Sequence, residues 1–298
     1  MTSLVFTSDR RALAVEEWGE DAGAPVFLLH GTPGSRLGPI PRPMVLYQLG
    51  IRLITFDRPG YGRSERHFGR VVADIAADVR QIADHLGLTE FAVLGRSGGG
   101  PHALACAALL PERVRRTAVL VGLAPAQAEG LDWFEGMTAS NTREYMAVRH
   151  QGRLISARLR SAAERIRADP ARLVADLYHE LPLSDRRIVG DGGIRRMLAA
   201  TYTEAFRASA DGWVDDLLAF CAPWGFELGG ITVPTMLWHG ADDTFSPVGH
   251  SRWLGANIPS STVVIESGSA HFGAFDVLPD VLAWLAGPSR DDRASQRL

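Results

Sequence analysis

The chain has 298 residues, of which 46% are hydrophobic, enough to bury a full core as one elaborated domain or as a core with a second unit inserted into it. Its 31 basic and 34 acidic residues leave a formal net charge of -3 with no long single-sign block. Disorder is excluded on that composition, nucleic acid and anionic membrane are excluded as main partners, and a small-molecule substrate is expected.

The first residues, Met1 to Phe6, reach Asp9, Arg10 and Arg11 before any stretch long enough for a signal segment develops. The longest apolar runs, such as Ala118 to Val121, are strand-sized and too short to span a membrane. Cys106 and Cys221 are far apart and follow no metal spacing, so two buried free thiols are expected. A soluble, cytoplasmic protein follows as the expectation.

Four short β-type runs open the chain, Leu4 to Thr7, Ala12 to Trp18, Pro25 to Leu29 and Ile51 to Phe56, the last after a Pro/Gly-rich connection. Apolar residues at Val71, Val72, Ile75, Val79, Ile82 and Leu86 then follow a helical period that Gly87 closes. Phe91 to Leu94 reads as a strand, a small-residue helix runs from about His102 to Leu110, and Arg115 to Gly122 supplies the next strand. Strands alternating with helices predict a parallel sheet covered on both faces.

From about Pro125 to Gly225 the alternation stops. Ile155, Leu159, Ala162 and Ile166 share one helical face, as do Ile194, Met197, Tyr202 and Ala205, which predicts a helical insertion. The earlier pattern resumes with strand Thr235 to Trp238, helix Gly249 to Ala256, strand Thr262 to Ile265 and a last helix from about Phe275 to Leu285. A polar tail follows Gly287, and no repeat or low-complexity tract is visible.

Gly95-Arg96-Ser97-Gly98-Gly99 stands between the Phe91 strand and the small-residue helix. The pentapeptide alone is a weak signal, but a strand, a sharp turn and a helix are what raise a serine into position for attack. A serine hydroxyl near neutral pH needs a base to take its proton and a carboxylate to orient that base. Among nine histidines, His271 is best placed, in the small-residue loop Gly268 to Gly273 between the last strand and the last helix. The acid is expected in the loop after Thr235 to Trp238, where Asp242 and Asp243 are adjacent. Neighbouring turn residues point in different directions, so only one can orient His271; Asp243 is preferred and Asp242 is the alternative.

A tetrahedral intermediate needs preset N–H donors. Gly98 supplies one, and Thr32, in His30-Gly31-Thr32-Pro33-Gly34-Ser35, is the natural second because Pro33 has no N–H. His30 is expected to tie this loop down rather than take part in chemistry, and Asp57 to Ser64 reads as a turn scaffold. Arg36 and Arg96 flank the two loops; pairing with a carboxylate is their expected role, and holding an acidic substrate the alternative. Among Trp133, Phe134, Met137, Tyr145, Met146 and Trp213 of the insertion, Trp133 and Phe134 are the leading candidates to face substrate.

The ordered set HGTPGS, DRPGYGRS, GRSGGG, HGADD and AHFG resembles the α/β-hydrolase superfamily, in its serine-nucleophile branch with a helical cap before the strand that carries the acid. The likeness runs from about Pro25 to Leu285 with the middle insertion unmatched. It implies an α/β fold of a mostly parallel central sheet flanked by helices, with residues 1–124 and 226–298 as core and 125–225 as an all-helical cap. It also implies Ser97, Asp243 and His271 as a triad, with Thr32 and Gly98 as oxyanion donors.

The HGTPG loop is similar to that of proline iminopeptidases, which however carry HGGPG and a tryptophan after the nucleophile, where this chain has Thr32 and Gly98. Haloalkane dehalogenases and epoxide hydrolases share the resemblance but use an aspartate nucleophile. Hydrolysis of a carboxylic ester, lactone or thioester through an acyl-enzyme on Ser97 is therefore the leading reading. An aminopeptidase, carbon–carbon bond hydrolase or perhydrolase on the same triad is the runner-up, and a non-catalytic small-molecule receptor the third. None of these calls for a cofactor or a metal, and the natural substrate and oligomeric state are not legible.

Overall fold

Two nearly continuous apolar runs, β3 (Ala24–Leu29) and β5 (Phe91–Arg96), lie side by side at the centre of an eight-stranded sheet. The structure is a computed structural model that describes residues 2–151, 155–170, 172, 175 and 178–287. The other strands are β1 (Ser3–Phe6), β2 (Ala12–Gly19), β4 (Ile51–Phe56), β6 (Val114–Leu120), β7 (Thr235–Gly240) and β8 (Ser261–Glu266), in the spatial order β1, β2, β4, β3, β5, β6, β7, β8. The pairings β1 with β2 and β2 with β4 are antiparallel, and the rest of the sheet is parallel.

The period of two along each central strand sorts its side chains to the two faces. Val26 and Leu28, with Leu94, Ala118 and Leu120, pack under Leu46 and under Val281, Leu282 and Leu285. Phe27 and Leu29, with Val93 and Val119, pack against Ile75, Val79 and Ile82 and against the small residues Ala103, Ala105 and Ala107. The flanking helices are α1 (Pro43–Gln48), α2 (Ile75–His85) and α3 (Gly99–Leu109), followed later in the chain by a helical segment and two further core helices.

Between β6 and β7 lie α4 (Ala139–Gln151), α5 (Ile155–Ala168), α6 (Leu183–Val189), α7 (Gly192–Ala205) and α8 (Asp211–Cys221), and after β7 come α9 (Gly249–Asn257) and α10 (Leu278–Ala286). Asp191 starts α7 by accepting hydrogen bonds from Gly193 N–H and Ile194 N–H at 2.8 and 2.9 Å. Apolar side chains of these helices, among them Tyr145, Leu159, Phe206, Trp213 and Phe220, belong to the same cluster as Phe27 and Val93. The inserted helices therefore share their apolar packing with the sheet.

Several boundaries differ from the sequence reading for local reasons. Helix α1 falls in the stretch read as a connection: Pro43 opens it at a position where no N–H is needed, and Leu46 is buried. Helix α3 begins at Gly99, three residues before His102, because Pro101 is tolerated in a first turn. The last helix begins at Leu278, and His271–Phe275 forms a 3-10 turn ahead of it. On α7 the buried residues are Leu198, Thr201, Glu204 and Ala205, while Met197 is half-buried. Cys106 is buried and Cys221 half-buried, both as free thiols. The Ile155 side chain and the tail after Gly287 lie outside the described residues. Among the described residues, no helix is long and apolar enough to cross a membrane.

Candidate active site

Ser97 stands at the turn from β5 into α3 with φ of 53°, in the left-handed region that an L side chain rarely occupies. Holding a non-glycine residue there costs on the order of 1 kcal/mol, which neighbouring hydrogen bonds offset. Ser97 N–H donates to Leu120 O at 2.8 Å, and Ser97 O accepts from Gly100 N–H at 2.8 Å. The helix can start this close to the sheet because Gly99 has no side chain: a Cβ there would overlap the Leu29 carbonyl.

The loop after β7 places Asp243 against His271. Asp243 is 4% exposed, and its Oδ2 accepts from His271 Nδ1–H at 2.8 Å. Asp242 is exposed, and its N–H donates to Ser269 O, so the adjacent aspartates separate as the turn geometry requires. Asp243 also accepts from Phe245 N–H at 2.8 Å and Ser246 N–H at 3.2 Å, and His239 Nε2 lies 3.2 Å away. Burial opposes its charged form, but the imidazoles of His271 and His239 outweigh that and hold its pKa well below the usual carboxylate range. Ser97 shares a cavity wall with His271, and no hydrogen bond joins the two side chains in this conformation.

The loop after β3 approaches the same place. A Cβ on Gly98 would overlap Thr32 Oγ1, so the two loops touch. Neither Thr32 N–H nor Gly98 N–H has an acceptor among the described residues. His30 is 3% exposed and bridges the loops: Nδ1–H donates to Gly31 O at 2.8 Å and Nε2 accepts from Arg58 N–H at 3.1 Å. Burial, with the Arg58 charge beside it, keeps His30 neutral well below its ordinary pKa, in line with a tying role.

Beneath this loop lies Asp216 of α8, which is fully buried. It accepts from Tyr61 Oη at 2.8 Å, pairs with both Arg58 and Arg70, and accepts from Thr32 Oγ1. Burial alone would raise its pKa, but the two guanidinium groups hold it far below the ordinary value. A second carboxylate of the insertion, Asp185 on α6, accepts from His271 N–H at 3.1 Å and Phe272 N–H at 2.8 Å. Sequence reading named neither residue. Asp216 left one trace: it falls on the helical face of Trp213 and Phe220, and an acid on an apolar stripe signals a buried ion pair.

A cavity of about 150 Å³ lies between the inserted helices and the strand ends, with Thr32, Ser97, Gly98 and His271 on its wall. Its apolar lining comes from Leu123, Tyr145, Tyr202, Trp213, Leu217, Phe245 and Phe272. Trp133 and Phe134, the aromatic residues preferred from sequence, do not line it. Trp133 is 4% exposed, donates its indole N–H to Ala124 O at 2.9 Å and packs edge-on against Tyr145 and His250. A buried indole needs an acceptor, and the β6 exit supplies one away from the cavity. Phe134 packs edge-to-face with Trp133 and is half-buried.

The two flanking arginines have different fates. Arg36 is buried against Asp57 and Glu204 and is a paired structural cation. Arg96 lines the cavity, is 8% exposed and makes no ion pair with a described residue. On the cavity wall formed by α4, Glu144 is likewise without a hydrogen bond or ion pair among the described residues, and burial pushes its pKa up to about 7. No group of three His, Cys, Asp or Glu side chains among the described residues is arranged to hold a metal ion.

A strained serine beside a cavity, an imidazole backed by a carboxylate, and two loops with N–H groups unused among the described residues come together at the strand ends of an α/β fold. The family model for the alpha/beta hydrolase fold matches residues 24–276, and the chain belongs to that family. It is 35% identical to a proline iminopeptidase of Xanthomonas citri over 129 residues, 42% of this chain and 41% of that enzyme, so the match spans less than half of the relative's length. It is 27% identical to a non-heme haloperoxidase of Rhodococcus erythropolis over 83% of this chain and 84% of that one. An alpha/beta hydrolase fold protein from Nakamurella multipartita superposes with a TM-score of 0.68 at 22% identity, covering 97% of this chain and all of the other.

Proposed function

We propose that this protein is a serine hydrolase that cleaves a carboxylic ester, lactone or thioester of a small organic substrate through an acyl-enzyme on Ser97. The observation that carries the reading is the left-handed backbone of Ser97, on the wall of the cavity that also holds His271. His271 Nε2 takes the hydroxyl proton as Ser97 Oγ attacks the acyl carbon, and Asp243, kept ionised, stabilises the imidazolium through Nδ1–H. The N–H groups of Thr32 and Gly98 receive the oxyanion, each contributing roughly 3 kcal/mol to lowering the barrier. Protonated by His271, the alcohol leaves; the same imidazole then activates the water that releases the acid.

On this reading the helices inserted between β6 and β7 act as the cap of the site, and its cavity of about 150 Å³ suits small groups. A volume of roughly that size holds a benzene ring. A fluorophosphonate probe tests the reading. Wild type and Ser64→Ala are expected to label, because Ser64 is buried with its hydroxyl accepting from Ala14 N–H. Ser97→Ala is expected to lose both labelling and turnover, by about a thousandfold or more. A Ser97→Ala protein with full activity overturns the proposal.

One observation favours a second reading, the aminopeptidase. Glu144 offers the cavity a carboxylate with no partner among the described residues, suited to an amine, and a relative named proline iminopeptidase matches part of the chain. Acyl esters run beside a proline arylamide separate the two by rate.

A further inference from the structure

Four buried arginines surround the loops of this site, and three of them meet carboxylates. Arg36 pairs with Asp57 and Glu204, while Arg58 and Arg70 share Asp216. Arg96, next to Ser97, is buried to the same degree without one among the described residues. Its Nε and Nη2 are buried and have no hydrogen-bond partner among the described residues. Phe275 and Phe272 lie against the guanidinium, with ring centroids 4.5 and 5.5 Å from its carbon, which favours the cation but accepts none of its N–H groups. A buried cation without a paired carboxylate is costly, and one whose residue lines a cavity is placed to take an acceptor from a bound molecule.

Neighbouring acids do not fill that role. Asp243 is used by His271 and by the amides of its own loop, and Asp185 by the amides of His271 and Phe272. Arg96 borders the cavity itself: its Nη1 lies 3.7 Å from where a Cβ of Gly31 would stand, and Gly31 is part of the wall. Glu144, which lines the same cavity, has a pKa of about 7, so at neutral pH it is partly protonated and the guanidinium is the stronger charge.

We propose that Arg96 binds a carboxylate on the substrate, so that the site selects anionic esters over neutral ones of the same shape. This rests on the reading of Ser97 as nucleophile. A guanidinium presents paired N–H donors that match a carboxylate, and the dry surroundings of Arg96 strengthen the contact.

Monomethyl succinate and its neutral isostere methyl succinamate, hydrolysed under pH-stat, give the readout. The expected kcat/KM favours the anion by about tenfold or more in wild type. Arg96→Gln is expected to abolish that preference, and Arg96→Lys to keep part of it. Equal rates in wild type, or a preference that survives Arg96→Gln, overturn the proposal. Calorimetric titration with succinate and with succinamide reads the same site without turnover: tighter binding of succinate, lost in Arg96→Gln, is expected, and equal affinities overturn the proposal. Fluorophosphonate labelling of the same preparations separates the two failures. A labelled protein without anion preference sinks the Arg96 site alone, and an unlabelled wild type sinks the nucleophile reading beneath it.

Discussion

The strand ends of the sheet and the inserted helices treat polar groups in opposite ways. At the strand ends the groups that face the cavity are left unused: Ser97 makes no hydrogen bond to His271, and the N–H groups of Thr32 and Gly98 have no acceptor among the described residues. The insertion instead supplies carboxylates that are saturated, Asp216 by Arg58, Arg70, Tyr61 and Thr32, and Asp185 by the amides of His271 and Phe272. One region leaves its hydrogen-bonding capacity unused beside the cavity, and the other uses its capacity to hold the first in place. The insertion is thus a brace as well as a wall.

The largest effect expected from this contrast lies on the unused side. Asp243→Asn keeps the shape of the acid but removes the charge beside His271, and kcat for the proposed ester hydrolysis should fall by about ten thousandfold. Steady-state kinetics with a small acyl ester measure it. A loss smaller than about tenfold would mean that the imidazole does not work through this carboxylate.

Next comes the bracing side. Asp216→Asn leaves Arg58 and Arg70 buried without a paired carboxylate among the described residues, and breaking such a network costs about 3–5 kcal/mol. Urea unfolding of wild type and variant measures the loss directly. If the variant loses under about 1 kcal/mol, the network beneath Thr32 is not a brace, and the contrast between the two regions fails on that side.

How much of this was legible in the sequence follows from range. The strand, turn and helix around Ser97 are local: an apolar run, glycines where backbone segments touch, and small residues where α3 meets the sheet. His271 and Asp243 were legible as loop residues after particular strands, since chain order fixes which loop ends where. The braces were not, because their partners are remote: Arg58 meets Asp216 at a separation of 158 residues and Arg36 meets Glu204 at 168. Nothing local distinguishes Arg36, which found such a partner, from Arg96, which has none among the described residues. Trp133 was misplaced for a related reason, since composition shows that an insertion has aromatic residues and only packing decides which of them turn toward the cavity.

The smallest effect tests whether an unused group on the insertion breaks the contrast. Glu144 belongs to the inserted helices, yet it resembles the groups at the strand ends in having no partner among the described residues. Burial lifts its pKa from the ordinary 4.5 to about 7 in the folded chain. Between those values the folded state holds a proton that the unfolded state has released, so this residue lowers stability as pH rises through the window, and the penalty is complete above it. Glu144→Gln removes the penalty: at about pH 8 the variant should be more stable by about 1–2 kcal/mol, a figure reduced for the residue's partial exposure, and the gain should vanish below about pH 4.5. Urea unfolding at the two pH values reads the difference. A gain that is the same at both would show that Glu144 is not a desolvated acid. If the gain depends on pH as stated and the variant also loses a proline arylamide activity present in wild type, then Glu144 serves substrate amines and belongs functionally with the strand ends.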